Sequence, residues 1–240
     1  MRVHRVTHAR HTPKKANIQS GWYMASTSNI HPKYNDTMGI IQNTSNLIKG
    51  FYRSRFDAGV PFCIDNEVFA DKFQVDSWKK VLELVIPYKE TCLFIVIPDV
   101  IGNCRETLKQ FSHYRNMVKD LPVALVSQDG IREQENDIPW DDFDCLFIGG
   151  SDEHKLGKEG GWILQEAKRH GKWVHVGRVN SPKRILKFWQ ADSWDGTHLG
   201  FMPSDVSKFH AAVLQVREMK KQKGLFDDIR SYVSRSDSIG

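Results

Sequence analysis

The sequence predicts an α/β fold, a compact closed (β/α)₈ TIM-type barrel in a single domain spanning residues 1–240. Three observations point there. Six short apolar runs each stop at a polar residue or a glycine, at Asp65, Asp99, Gln128, Gly149, Gly177 and Asp195, at intervals of 18 to 34 residues. Those are the lengths of βα units. The runs are near-continuous in Val, Ile, Leu and Phe, as strands buried on both faces must be, which means parallel strands with helical crossovers. A chain of 240 residues with 40% hydrophobic content can also bury the core that a barrel of this size needs. An open doubly wound sheet is the competing architecture. No G-x-G-x-x-G follows an early strand and no G-x-x-x-x-G-K-[ST] occurs, so neither a dinucleotide nor a P-loop site supports it.

The elements follow in order. Trp22-Tyr23-Met24-Ala25 reads as a strand, with Val3–Val6 as a shorter one before it, and together with the six these make eight. Residues 38–56 place Ile40, Ile41, Leu47, Ile48 and Phe51 at helix-like spacing. Val60–Ile64 is a strand ending at Asp65. A helix over Asp76–Tyr88, opened by an Asp/Ser cap, carries Trp78, Val81, Leu82 and Val85 on one face and leads to the strand Cys92–Ile97. A helix over Arg105–Val118 leads to Val123–Val126. A turn around Pro139 leads to Cys145–Ile148, and a helix over Gly161–His170 with turn glycine Gly171 leads to Trp173–Val176. Ser181-Pro182 opens the helix that delivers the chain to Asp195, and residues 221–240 form a polar C-terminal tail.

No apolar run approaches the ~20 residues of a membrane span, and the basic start lacks a signal-peptide core, so a cytoplasmic protein without membrane association is expected. The cysteines Cys63, Cys92, Cys104 and Cys145 have no metal-ligand spacing, and three sit in apolar runs, as buried free thiols in a reducing compartment would. Lys and Arg number 34 against 29 Asp and Glu, a net charge of +5. Arg2, Arg5, Arg10, Lys14 and Lys15 lie in an acid-free segment, residues 1–15, that reads equally as a phosphate-contacting arm, a first strand or a solvated tail.

In a closed barrel the strand ends converge on one mouth. Asp65, Asp99 and Asp195 would then repel one another and lose hydration, so at least one should hold a proton, which suits acid and base work. Asp195, between Trp194 and Gly196, is the candidate nucleophile, with Gly196 small enough for a substrate to approach closely. Gln128 can donate and accept together, and Gly149-Gly150 lets a flat ring lie against backbone amides. Helix caps, a loop bridge and a plain turn would account for the same residues one at a time. His154, His175 and His198 are scattered, no metal or other cofactor is expected, and His175, inside an apolar strand, reads as a satisfied core residue.

The ordered segments Ile64-Asp65-Asn66-Glu67-Val68-Phe69, Pro98-Asp99, Ser127-Gln128-Asp129-Gly130, Ile148-Gly149-Gly150, Val174-His175-Val176-Gly177 and Ser193-Trp194-Asp195 resemble the guanine transglycosylase superfamily across residues 60–200. These barrel enzymes exchange guanine in nucleic acid for a 7-deazaguanine base. The resemblance implies that Asp195 is the nucleophile that attacks the anomeric carbon and Asp65 the residue for proton transfer and positioning. It also implies that Asp99, Gln128, Gly149, Gly150, Gly177 and Phe69 surround the base. Arg178, Lys183, Arg184 and Lys187, beside the mouth, are the expected phosphate contacts.

The departures are informative. Where the family has D-S-G-G-F-Q this chain has Asp65-Asn66-Glu67-Val68-Phe69-Ala70, so Glu67 becomes a possible substitute for Asp65, and Val100-Ile101 replaces an acid-cysteine step after Asp99. No cysteine follows Cys145, whereas the tRNA-acting members place a zinc-binding C-x-C-x-x-C beyond the nucleophile. The resemblance is therefore to the zinc-less, DNA-modifying branch found in bacterial modification clusters and phages, with DNA as partner and tRNA as the alternative. A non-catalytic nucleic-acid-binding barrel and a sugar-processing hydrolase using Asp65 and Asp195 are the readings from other classes.

Overall fold

The structure, a computed structural model, describes residues 18–27, 30–49 and 53–236, without the side chains of Phe69 and residues 228–236. The segment 1–15, with its expected strand Val3–Val6 and basic arm, lies outside the described residues, as does Phe51.

Eight parallel strands close into a barrel in sequential order: β1 (Trp22–Ala25), β2 (Met38–Asn43), β3 (Phe62–Asp65), β4 (Cys92–Val96), β5 (Val123–Ser127), β6 (Cys145–Ile148), β7 (Trp173–Val176) and β8 (Ser193–Gly196). β8 pairs with β1 through Trp22↔Ser193 and Met24↔Asp195, which seals the seam. The expected total of eight therefore holds with one different member. The second strand is Met38–Asn43, where the spacing suggested a helix.

Helices and short turns cover the outside: α1 (Thr44–Ile48), α2 (Arg53–Asp57), α3 (Val75–Val85), α4 (Cys104–Tyr114), α5 (Asp152–Leu156), α6 (Lys158–Arg169), α7 (Pro182–Lys187), α8 (His198–Phe201) and α9 (Val206–Ser236). α3 buries Trp78, Val81, Leu82 and Val85 as its periodicity requires. Its cap position is Gln74, without a side-chain cap bond, so Asp76 sits inside the first turn, where its charge favours the helix dipole. Between β5 and β6 only two 3₁₀ segments occur, Arg132–Asp137 and Trp140–Asp142, and buried Ile131, Ile138 and Phe143 cover the barrel there instead of a helix. α6 ends before Gly171, which takes a positive φ of 65° in the turn into β7.

Alternation along the strands divides the core. One set of side chains, including Tyr23, Ile40, Phe62, Leu125, Val174 and Trp194, packs outward against the helices. The other fills the lumen with Trp22, Met24, Ile41, Cys63, Phe94, Val126 and Cys145. All four cysteines are buried free thiols.

At the amino-terminal end of the barrel α9 closes the β8–β1 seam. Arg217 donates to the Gly21 and Asp36 carbonyls and Lys220 to the Ala191 carbonyl, while Lys168 pairs with Asp192 at 2.5 Å. Within the expected polar tail at 221–240 the chain is helical as far as Ser236, and residues 221–227 are exposed. No helix among the described residues is long and apolar enough to cross a membrane.

Candidate active site

The mouth is built around β8. Trp194 is buried outward, its indole donating to the Phe188 carbonyl at 3.1 Å, and this fixes the strand so that Ser193 and Asp195 point inward. The Asp195 side chain is 18% exposed, open enough to meet a substrate. Its Oδ1 accepts from His175 Nε2 at 3.0 Å and from the Arg178 amide at 3.2 Å. Arg178 reaches it because its backbone takes the left-handed conformation, φ 60°. Its guanidinium donates to the Gly150 carbonyl, which ties the β6 and β7 loops together.

Gly177 lies beside Asp195: a Cβ there would stand 3.3 Å from Asp195 Oδ1 and 2.7 Å from the Phe147 ring. Gly196 has a different role from the one expected. A Cβ on it would meet the Tyr23 hydroxyl and the Val179 carbonyl, each at 2.8 Å, so the glycine accommodates packing within the protein and leaves no approach for a substrate.

Asp65, at the end of β3, shares the field of Asp195. Burial, and then the negative charge of Asp195, push its carboxyl up to about 7, while the Glu67 and Asn66 amides pull it back and Asp99 adds a smaller upward push. Asp99 is also raised, by burial, against the hydrogen bonds from Asn66 and Gln128. Asp195 and Asp99 thus both lie close enough to Asp65 for their charges to add to the effect of its burial.

Gln128 makes two hydrogen bonds within the protein. Its amide NH₂ donates to Asp99 at 2.5 Å and its oxygen accepts from the Gly102 amide at 2.9 Å, so it bridges strand ends and orients Asp99. The Gly149 amide is likewise committed, to the Ser127 carbonyl at 3.1 Å, and a Cβ at Gly149 would stand 2.8 Å from Val126. Glu67 is occupied elsewhere too: its carboxylate accepts from the Ser45 amide and hydroxyl at 2.9 and 3.0 Å, holding the start of α1. Phe69 lies in the 3₁₀ turn Val68–Ala70, and its side chain is outside the described part of the structure. A cavity of about 300 Å³ opens beside Asp99, walled by Asp71, Pro98, Gln110 and the rings of Phe73 and Tyr114. Those rings meet edge to face at 5.5 Å.

Of the expected phosphate contacts, Lys183 and Lys187 are exposed on α7. Arg184 is held by Asp152 at 3.3 Å and by the Arg178 carbonyl at 3.4 Å, and Ser181 caps its own helix by accepting from the Arg184 amide.

Three groups at the mouth were not expected. His175 is fully buried yet bonded to Asp195, where the sequence suggested only a satisfied core residue. Lys155, 3% exposed, donates to the Gly177 carbonyl at 3.3 Å, and burial and then Arg178 lower its pKa. Ser127, His154 and Glu159 form a chain of 2.9 and 2.7 Å bonds behind β5 and β6, and with Ser127 fully buried this chain braces the loops. The alternation Trp173-Val174-His175-Val176 did carry a signal for His175, since valines facing outward turn the histidine into the lumen. Among the described residues no three His, Cys, Asp or Glu side chains are grouped to hold a metal ion.

No protein-family model matches the chain, and no curated protein matches it in sequence. Structural similarity extends to an Aquifex aeolicus VF5 protein at 12% identity, covering 85% of this chain and 93% of that one, with a TM-score of 0.45. It extends also to tryptophan synthase from M. tuberculosis, at 12% identity over 75% and 78% of the two chains and a TM-score of 0.39. A third is the Bacillus subtilis YkuI protein, with an EAL domain, in complex with c-di-GMP and calcium, at 12% identity over 81% and 47% and a TM-score of 0.31.

Proposed function

We propose that this chain is a glycosyl-transferring barrel enzyme that exchanges guanine in DNA for a 7-deazaguanine base through a covalent aspartyl-glycosyl intermediate. The observation that carries the reading is the pair of carboxyls in unlike environments. Asp195 accepts hydrogen bonds from two donors and is partly exposed, while Asp65 holds its proton to about pH 7. A carboxyl that keeps a proton can serve as the acid beside a carboxylate nucleophile.

In the first displacement an Asp195 oxygen attacks C1′ of the extruded nucleotide, the C1′–N9 bond breaks, and Asp65 gives its proton to the departing guanine. In the second, N9 of the incoming base attacks C1′, its proton passes to Asp65, and the C1′–Asp195 ester bond breaks. No water is consumed. The nucleotide must leave its stack to reach the mouth. Asp99, oriented by Asn66 and Gln128 beside the cavity walled by Phe73 and Tyr114, supplies an acceptor for the amino and imino hydrogens of a guanine-like edge. The choice of DNA over tRNA rests on the resemblance to the zinc-less branch.

The test offers labelled guanine or a 7-deazaguanine with duplex DNA, single-stranded DNA or tRNA, with and without chelator, followed by nucleoside mass spectrometry. Incorporation into DNA, indifferent to chelator, is the expected result. Incorporation into tRNA alone or loss on chelation overturns the substrate assignment, and release of free sugar or base without exchange identifies a hydrolase.

The exposed lysines give a second expectation. Lys183→Ala and Lys187→Ala should each lower the salt slope of DNA binding by about one and weaken binding across sequences alike. An unchanged slope in the double variant would move the phosphate path away from α7.

A further inference from the structure

Beneath Asp195 the lumen contains a line of polar groups that base exchange alone does not explain. The Trp173 indole nitrogen lies 2.8 Å from Ser193 Oγ, Ser193 Oγ lies 2.8 Å from His175 Nδ1, and His175 Nε2 lies 3.0 Å from Asp195 Oδ1. Adjacent strands set this order, since β7 and β8 pair with His175 opposite Ser193. The imidazole is fully buried and packed against the rings of Phe94 and Phe147, at 5.0 and 4.6 Å between centroids.

Protons can be assigned along this line from the donor inventory. The Asp195 carboxylate only accepts, so His175 Nε2 carries a proton; in the neutral imidazole Nδ1 is then bare and takes the Ser193 hydroxyl proton, while Ser193 Oγ accepts from the Trp173 indole N–H. The opposite tautomer would set a bare Nε2 lone pair against the Asp195 carboxylate in a buried site, which is repulsive.

We propose, resting on the base-exchange reading of Asp195, that His175 is a positioning residue whose donating tautomer is held from beneath by Trp173 through Ser193, so that Oδ2 of Asp195 is the attacking oxygen. His175 and the Arg178 amide both bind Oδ1. When C1′ bonds to Oδ2, Oδ1 becomes the carbonyl oxygen of the glycosyl ester and keeps the same two donors. The carboxylate therefore does not rotate between the two displacements, and the charge returning to it in the second step meets donors already in place. Trp173 and Ser193 touch no substrate.

The test uses the full chain with ¹⁵N-labelled histidine, the His175 signals being assigned by their loss in His175→Gln. Long-range ¹H–¹⁵N spectra should show a protonated Nε2 and a bare Nδ1, and Ser193→Ala should abolish that preference. A native His175 protonated at Nδ1 with a bare Nε2 overturns the assignment whether or not the protein exchanges bases. In exchange kinetics Ser193→Ala should lower kcat by about 10- to 100-fold, because losing the tautomer preference weakens the charge-assisted bond from His175 to the Asp195 carboxylate, with KM little changed and Ser193→Thr restoring most of the rate. A Ser193→Ala enzyme of native kcat overturns the positioning role. If the native chain exchanges no base in any nucleic acid, the base-exchange reading fails by itself, and the tautomer spectra still decide the relay.

Discussion

Asp195→Asn should lower base exchange by about 10⁴–10⁶-fold, the loss typical of removing a covalent nucleophile or its essential partner, while leaving the fold and DNA binding in place. The amide is isosteric, and its oxygen can still accept from His175 Nε2 and the Arg178 amide, so the β7–β8 contact survives. What it cannot do is form an ester to C1′ and then leave as a carboxylate. Nucleoside mass spectrometry after incubation with labelled 7-deazaguanine reads the loss, a mobility shift reads retained binding, and denaturing electrophoresis of the native enzyme with DNA should trap an adduct that the variant lacks. Exchange by the variant at close to the native rate would place the nucleophile elsewhere. The substitution also removes the charge that, after burial, most raises the Asp65 carboxyl, so Asp65 in this variant should titrate lower than in the native chain.

Much of this site could be read from the sequence because each strand end is announced by the same event, an apolar run that stops. Asp65, Asp99, Gln128, Gly149, Gly177 and Asp195 all lie at or just beyond the carboxyl ends of their strands. β2 was concealed because strand and helix abut without a loop. Asn43 is both the last residue of β2 and the cap of α1, its side chain accepting from the Asn46 amide at 2.8 Å, so apolar residues of two elements merged into one false helical period. The individual roles at the mouth were harder to read for a different reason. Whether an amide reads a ligand or braces a loop depends on partners far away in sequence. Gln128 meets Asp99 and Gly102, Glu67 meets Ser45, and Gly196 meets Tyr23 and Val179, contacts that exist only after the barrel closes. His175 is the opposite case: burial in an apolar strand suggested a core residue, and the residue is buried, but its polar edge faces the carboxylate.

Asp65→Asn should separate activity from stability with opposite signs. Exchange should fall roughly 10²–10⁴-fold, the cost of a lost proton donor. Stability should rise, by an amount set by pH. The Asp65 carboxyl lies at 3.8 in the unfolded chain and about 7 in the fold, so between these values the folded state holds a proton that the unfolded state has released. Native stability from this group is fully present below pH 3.8, declines as pH rises, and is lost above about 7. Asparagine does not titrate. The variant should therefore melt close to the native protein at pH 4 and progressively above it up to pH 7–8, where the advantage levels off at about 2–4 kcal/mol, or roughly 5–10 °C in a chain of this size. The same titration predicts that native exchange declines above about pH 7 as Asp65 loses its proton, and that the residual activity of the variant lacks this alkaline limb. Thermal melts and rate profiles across pH 4–9 measure both. A variant less stable than the native protein at pH 8, or one that keeps the alkaline limb, would show that Asp65 is ionised in the fold and that another group supplies the proton.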